Sequence, residues 1–326
     1  MQFVKSYWWL LLLMVMVVVV AILFIPADFR DYKSESSTDK GFEWNVPDSF
    51  RIPSTPEGDQ IRYGKALISH TAHYLGPKGT VAAMSNGMNC QNCHLAGGTK
   101  LLGNNYSAVF STYPKFRSRS GSIETIYKRV NDCFERSLNG KQLDTASREM
   151  QAIYAYIKWL GINVPKNIKP DGAGIADLPL MERAADTAQG KIVYLQKCKR
   201  CHGINGEGWL NEDSIEYQYP PLWGKNSYSN SAGLFRISRL AGYIRHNMPF
   251  DLGENENALP ITDEEAWDIA AFINSRPRPQ KQFKEDWPDI SAKPFDHPYG
   301  PYSDSFTEQQ HKYGPFREIV IAGKKK

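Results

Sequence analysis

Two pentapeptides, Cys90-Gln91-Asn92-Cys93-His94 and Cys198-Lys199-Arg200-Cys201-His202, constrain this chain more than any other feature. Two thiols at this spacing can add to the vinyl groups of a haem, and the adjacent histidine then lies beneath the iron as proximal ligand. One isolated match is compatible with chance, or with a redox thiol pair beside an unrelated histidine. Two matches, each with a helical pattern before and after it, predict two covalently bound c-type haems. Cys90, Cys93, Cys198 and Cys201 are then the attachment residues, and His94 and His202 the iron ligands.

The surroundings of the two motifs repeat one plan. Ile61, Ala66, Leu67 and Ile68 supply an apolar helical face before the first motif. Met150, Ile153, Tyr156, Ile157 and Leu160 supply another after it, ending at Gly161. In the second half Gly190 to Leu195 leads into the motif. A closing helix opens at Thr262, with Glu265 completing a capping box, runs through Trp267, Ile269, Ala270, Phe272 and Ile273, and stops before Pro277. The expected fold is all-α, with two tandem cytochrome c class I-like domains. The divisions read from composition are a membrane anchor over 1–27, a tether over 28–56 and a first haem domain over 57–165. A linker over 166–184, a second haem domain over 185–279 and an irregular C-terminal extension over 280–326, packed on the body, complete the chain.

Lys5 precedes an apolar run from Tyr7 to Ile25, closed by Pro26 and the charges of Asp28, Arg30 and Asp31. At about 1.5 Å per residue it just spans a hydrocarbon core of about 30 Å. A cleaved signal peptide is the competing reading, but it calls for a shorter apolar region and an A-x-A-like site, and none follows. The expectation is an uncleaved N-terminal helix that anchors the protein in the membrane. Because c-type haem is attached on the outer side of bacterial energy-transducing membranes, the body is expected on the periplasmic side of the inner membrane. The charge balance, Lys+Arg 39 against Asp+Glu 35, is too small to argue for nucleic acid and is compatible with small anionic substrates.

The distal iron ligands are where the halves diverge. Met248, followed by Pro249, lies before the closing helix of the second half, the usual place for a thioether ligand. The alternatives are Met248 as core filler, or His246 as a second imidazole ligand. Aligning Ile153–Ile157 with Ile269–Ile273 gives an offset of 116 residues, which carries Met248 back to Asp132, beside Cys133. The odd cysteine of five thus falls where the second half keeps its distal ligand. A thiolate there would lower the haem potential, whereas methionine raises it. The other readings of Cys133 are a buried free thiol and an intermolecular disulfide. Arg117, Arg119, Arg129 and Arg136, with Lys115 and Lys128, precede or follow Cys133 within 18 residues. On a helix, Arg129 and Arg136 share its face. Such a cluster is either a solvated basic face or an oxyanion site beside an activated thiol. The substrate inferred from the second reading is a small polyanion containing sulfur.

The stretch Asn131-Asp132-Cys133-Phe134-Glu135-Arg136-Ser137-Leu138-Asn139-Gly140 closely resembles the cysteine segment of dihaem thiosulfate dehydrogenases. So do Ser85-Asn86-Gly87-Met88, Tyr113 to Gly121, His297 to Tyr302 and Gln310 to Phe316, and the similarity runs from about Trp44 to the end. The resemblance implies an enzyme that couples two thiosulfate ions to tetrathionate, or runs the reverse as a tetrathionate reductase. It implies Cys133 as ligand and reaction centre, Arg119 and Arg129 as holders of sulfonate oxygens, and electron flow from the first haem to the second. The acceptor would be a cytochrome or a membrane redox complex. An anchored dihaem carrier without its own small-molecule substrate is the alternative. A sulfur-carrier-protein oxidase is a third reading, and two haems with a methionine-ligated second domain in one chain weigh against it.

Overall fold

The computed structural model describes residues 41–254 and 258–324. The apolar run read as an anchor, and the first part of the tether, lie outside the described residues. Among the described residues no helix is long and apolar enough to cross a membrane. Residues 42–326 form one compact unit.

The first domain is framed by α1 (Pro56–Ser69) and its closing helix. Thr55 caps α1, accepting the Gly58 N–H at 3.2 Å, and Pro56 occupies the first turn, where its missing N–H costs nothing. A five-residue helix α2 (Thr71–Leu75) leads toward the first haem motif. Helix α3 (Ile126–Arg136) carries Arg129 and Cys133, and α4 (Arg148–Gly161) closes the domain. The second domain repeats the frame with α5 (Thr187–Lys197), α6 (Ile237–Asn247) and α7 (Asp263–Asn274). The capping box read from Thr262 and Glu265 is formed at the start of α7.

Both frames cross through a glycine. A Cβ on Gly64 would sit 1.9 Å from the Ala152 carbonyl oxygen, and one on Gly190 would sit 1.9 Å from that of Asp268. Only a residue without a side chain lets α1 lie on α4, or α5 on α7, at that distance. Ala152 and Asp268 stand 116 residues apart, the spacing at which the closing helices align. Each domain therefore has its own core. One is built on Leu67, Ile68, Phe134, Met150 and Tyr156, the other on Tyr194, Ile237, Trp267, Ile269 and Ile273.

Three sequence expectations need correction. Residues 42–52, read as the end of a tether, are packed: Trp44 is buried and donates its indole N–H to the Leu160 carbonyl at 3.0 Å, and Ile52 joins the first core. The all-α reading misses two small antiparallel ladders. One pairs β1 (Lys115–Arg117) with β2 (Ser122–Glu124), the other β3 (Trp209–Leu210) with β4 (Tyr217–Tyr219). The C-terminal extension is irregular only as far as residue 307. A Thr307–Gln310 capping box then starts α8 (Glu308–Tyr313), and α9 (Arg317–Gly323) follows, with Phe316 and Ile319 packed into the second core.

Candidate functional site: two unlike haem sites in one body

The second site is a cavity of about 560 Å³ whose lining includes Cys198, Cys201, His202, Ile244, Met248 and Ile269. His202 is buried, and its Nδ1–H donates to the Pro220 carbonyl at 2.9 Å. That bond fixes the tautomer and leaves Nε2 with a lone pair for iron. Burial holds the imidazole below its usual pKa, so the ring stays neutral. Met248 is the first residue after α6 and lines the cavity. His246 is exposed, bonds back to Gly242 of its own helix at 3.0 Å and does not line it. Two thiols, an imidazole and a thioether converging on an apolar cavity fit a covalently attached haem. Burial pushes the Cys198 thiol up to about 12, a penalty that an uncharged thioether does not carry.

At the first site His94 Nδ1–H donates to the Asn104 carbonyl at 2.5 Å, and its ring stacks on Tyr106 with centroids 4.5 Å apart. Tyr106 reaches the ring because residue 98 is glycine with φ 87°, where a Cβ would lie 2.0 Å from the tyrosine ring. Burial lowers His94 to about 4, against the raising effect of the Asn104 carbonyl, and the charge of Arg129 lowers it further. Burial also pushes Cys90 to about 11 and Cys93 to about 12, with the charge of Cys133 adding to both. Cys133, three residues before the end of α3, therefore lies in electrostatic reach of both haem-attachment thiols. No cysteine is in a disulfide. The donor set fits a second covalent haem, with Cys133 as the added sulfur.

Arg129, one turn before Cys133 on α3, has its pKa raised chiefly by its electrostatic interaction with Cys133, although its burial opposes this. The two carboxylates that also reach it are already engaged. Glu124 lies 4.0 Å from Arg117, and Asp132 accepts from Lys128 at 2.7 Å. Arg119 is half-buried; burial and then the charge of Arg136 lower it to about 10, and Arg129 and Arg117 add to the crowding. Arg136 belongs elsewhere. It makes a bidentate pair with Asp286 at 2.6 and 2.8 Å, and its guanidinium lies 3.8 Å from the centroid of the Phe283 ring. The basic run thus divides into a neutralised structural arginine and a group, Arg117, Arg119 and Arg129, whose positive charge exceeds its local acid.

The two sites share a wall. Asn92 and Cys93 of the first motif, and Leu95 just after it, line the second cavity. From the second domain, Tyr243 Oη–H donates to the Asn92 carbonyl at 3.0 Å, and Asn247 Nδ2 donates to the Leu102 carbonyl at 3.1 Å. These bonds fix the first attachment turn and its neighbourhood against α6, the helix that Met248 follows.

Comparison with known proteins agrees with this geometry. Residues 80–165 match the SoxA/TsdA cytochrome c domain family, and residues 187–277 match the cytochrome c family. A thiosulfate dehydrogenase from Psychrobacter arcticus is 37% identical over 248 residues, covering 76% of this chain and 72% of the relative. One from Allochromatium vinosum is 36% identical over 238 residues, covering 72% and 84%. The chain belongs to the thiosulfate dehydrogenase family. A solved thiosulfate dehydrogenase, TsdBA from Marichromatium purpuratum, superposes with a TM-score of 0.68 at 30% identity, covering 74% of this chain and 51% of that one. As a member of that family the chain carries two c-type haems, one in each cytochrome c domain.

Several residues of the site escaped the sequence reading. Tyr243 and Asp286 act across long separations, Tyr106 acts from beyond the first haem motif, and none carries a local motif. The resemblance in the tail was the available signal, because a conserved-looking extension on a cytochrome has to pack against something.

Proposed function

We propose that the protein oxidises thiosulfate, coupling two ions through their terminal sulfurs into tetrathionate with release of two electrons, and that the same site can run the reverse. The observation that carries this reading is Cys133 on α3, one turn from Arg129 and in electrostatic reach of both it and the first haem-attachment thiols. Family membership supports it. When bound, the haems supply one-electron acceptors close to the reacting sulfur and a path outward through the second domain.

The chain's own residues do the rest. Arg129 and Arg119 hold the sulfonate oxygens through paired N–H donors and offset the repulsion between two dianions and a thiolate. The Cys133 sulfur joins the terminal sulfur of the first thiosulfate, and two electrons leave, giving a cysteine S-thiosulfonate. The second thiosulfate attacks that terminal sulfur, forming the central bond of tetrathionate and returning Cys133 as thiolate. Cys90, Cys93 and His94 hold the first haem; Cys198, Cys201, His202 and Met248 hold the second. The electrons leave to a cytochrome or a membrane redox complex. The apolar segment over 1–27 anchors the body on the periplasmic side of the inner membrane.

Product stoichiometry tests the reading. Holoprotein supplied with thiosulfate and a one-electron acceptor should form one tetrathionate per two thiosulfate and two acceptors reduced. Sulfate or sulfite as the product would rule the coupling reaction out.

A further inference from the structure

Residues 281–288 of the C-terminal extension wrap the basic face of the first domain. Lys281 Nζ donates to the carbonyls of Glu135 at 2.8 Å and Gly140 at 3.0 Å, at the end of α3. Asp286 takes Arg136, as described. The next residue, Trp287, donates its backbone N–H to the Arg119 carbonyl at 2.6 Å, and the Arg119 guanidinium lies 5.6 Å from the centroid of its ring. Pro288 fills the space left by Gly121, where a Cβ would come within 2.5 Å of the proline ring. Trp287 has φ 61°, a left-handed conformation that bulky side chains rarely adopt and that persists only where neighbours over-determine it. His297 supports the other side of the ring with an edge contact, centroids 5.4 Å apart, and burial lowers it to about 4, so it adds no charge near neutral pH.

We propose that Trp287 is a positioning residue for oxyanion binding: its ring fixes the guanidinium plane of Arg119 so that the in-plane N–H donors serve an oxyanion shared with Arg129. A cation–π contact consumes none of the guanidinium N–H donors, so the same arginine can be held over an aromatic ring and still bind a sulfonate. The only direct polar partner of the Arg119 side chain among the described residues is the Ser231 carbonyl at 3.4 Å, a long contact that leaves the other donors free. Arg136 shows the contrast on the same face, since both of its terminal nitrogens are spent on Asp286. The Trp287 backbone conformation is the cost of placing both its N–H and its ring on one residue. The oxyanion is identified as thiosulfate by the function proposed above, and that identity rests on it; the arrangement would hold any small sulfur oxyanion.

Sulfate serves as a probe that cannot be oxidised. It is titrated calorimetrically into oxidised holoprotein at fixed ionic strength, and thiosulfate kinetics are measured on the same samples. Trp287→Gly removes the ring while tolerating the backbone conformation. It should weaken sulfate binding and raise the thiosulfate KM by about five- to tenfold, with kcat held within about twofold and the haem spectra unchanged. Trp287→Phe, which keeps an aromatic face, should restore most of the affinity. Sulfate affinity and KM unaltered by Trp287→Gly, or no sulfate binding by the wild type, overturn the proposal. So does a loss confined to kcat. If the wild type binds sulfate through Trp287 but leaves thiosulfate untouched, the positioning role stands and the functional reading falls.

Discussion

The two haem domains share a frame and differ in the sulfur residue that each adds to its attachment motif. In the second, Met248 follows the end of α6 and lines an apolar cavity that neutral His202 also lines. In the first, Cys133 lies within α3, one turn from Arg129, whose charge adds to the crowding of Arg119. On the function proposed above, the difference would turn one of two similar haem modules into a reaction centre while both keep the same attachment chemistry. A thioether cannot form a bond to thiosulfate and release it; a thiolate can. The arginines then matter only on the thiolate side, and it is there that they gather. The C-terminal extension sharpens the asymmetry, because residues 283–288 wall the first site while α8 and α9 pack elsewhere, with Phe316 and Ile319 in the second core.

Making the first site resemble the second should break the asymmetry most. Cys133→Met should retain reduction by a strong chemical reductant and lose thiosulfate turnover by at least about a thousandfold, as expected when a nucleophile is removed, measured as steady-state acceptor reduction. Arg129→Met removes the charge beside Cys133 while keeping bulk. It should lower kcat/KM for thiosulfate by roughly thirty- to a hundredfold, the loss of one charge-assisted interaction of about 2–3 kcal/mol. The frame itself is testable in both halves. Gly64→Ala and Gly190→Ala force a Cβ onto a backbone carbonyl and should each cost about 1–3 kcal/mol, read as a lowered unfolding midpoint of the holoprotein. Met248→Ala should leave the first site's reaction with thiosulfate intact in single turnover and lower the potential of the second haem, followed by spectroelectrochemistry. His246→Ala should change neither spectrum nor potential, since that side chain faces away from the cavity; a shifted second-haem spectrum would reinstate it as a ligand.

How much of this could be read from sequence follows from the range of each interaction. The haem motifs, the Met248-Pro249 pair and the Thr262–Glu265 box are local, and their chemistry is complete within a few residues. The 116-residue offset also held at the backbone level, because Ala152 and Asp268 meet equivalent glycines. The arginine run misled in part. Nothing near Arg136 reveals that its partner is Asp286, 150 residues later, so a neutralised side chain reads as free charge. Trp287 is hidden for the same reason, its contacts with Arg119 being set by tertiary packing of a tail with little periodicity. The helices α8 and α9 escaped because each is two turns or less, too short for an apolar period to emerge. Trp44 was read as tether because a polar cluster over 34–39 precedes it and Pro47, Pro53 and Pro56 follow it; a single buried indole anchored the segment instead.

One measurement bears most directly on the division into a reacting site and an exit site. Oxidised holoprotein and its Cys133→Ala variant are mixed with thiosulfate without oxygen or acceptor, and the haem absorbance is followed in time. The account predicts reduction of the wild type with tetrathionate formed in step, and no thiosulfate-dependent reduction of the variant, although a strong reductant still reduces its haems. A Cys133→Ala protein reduced by thiosulfate at the wild-type rate would contradict it.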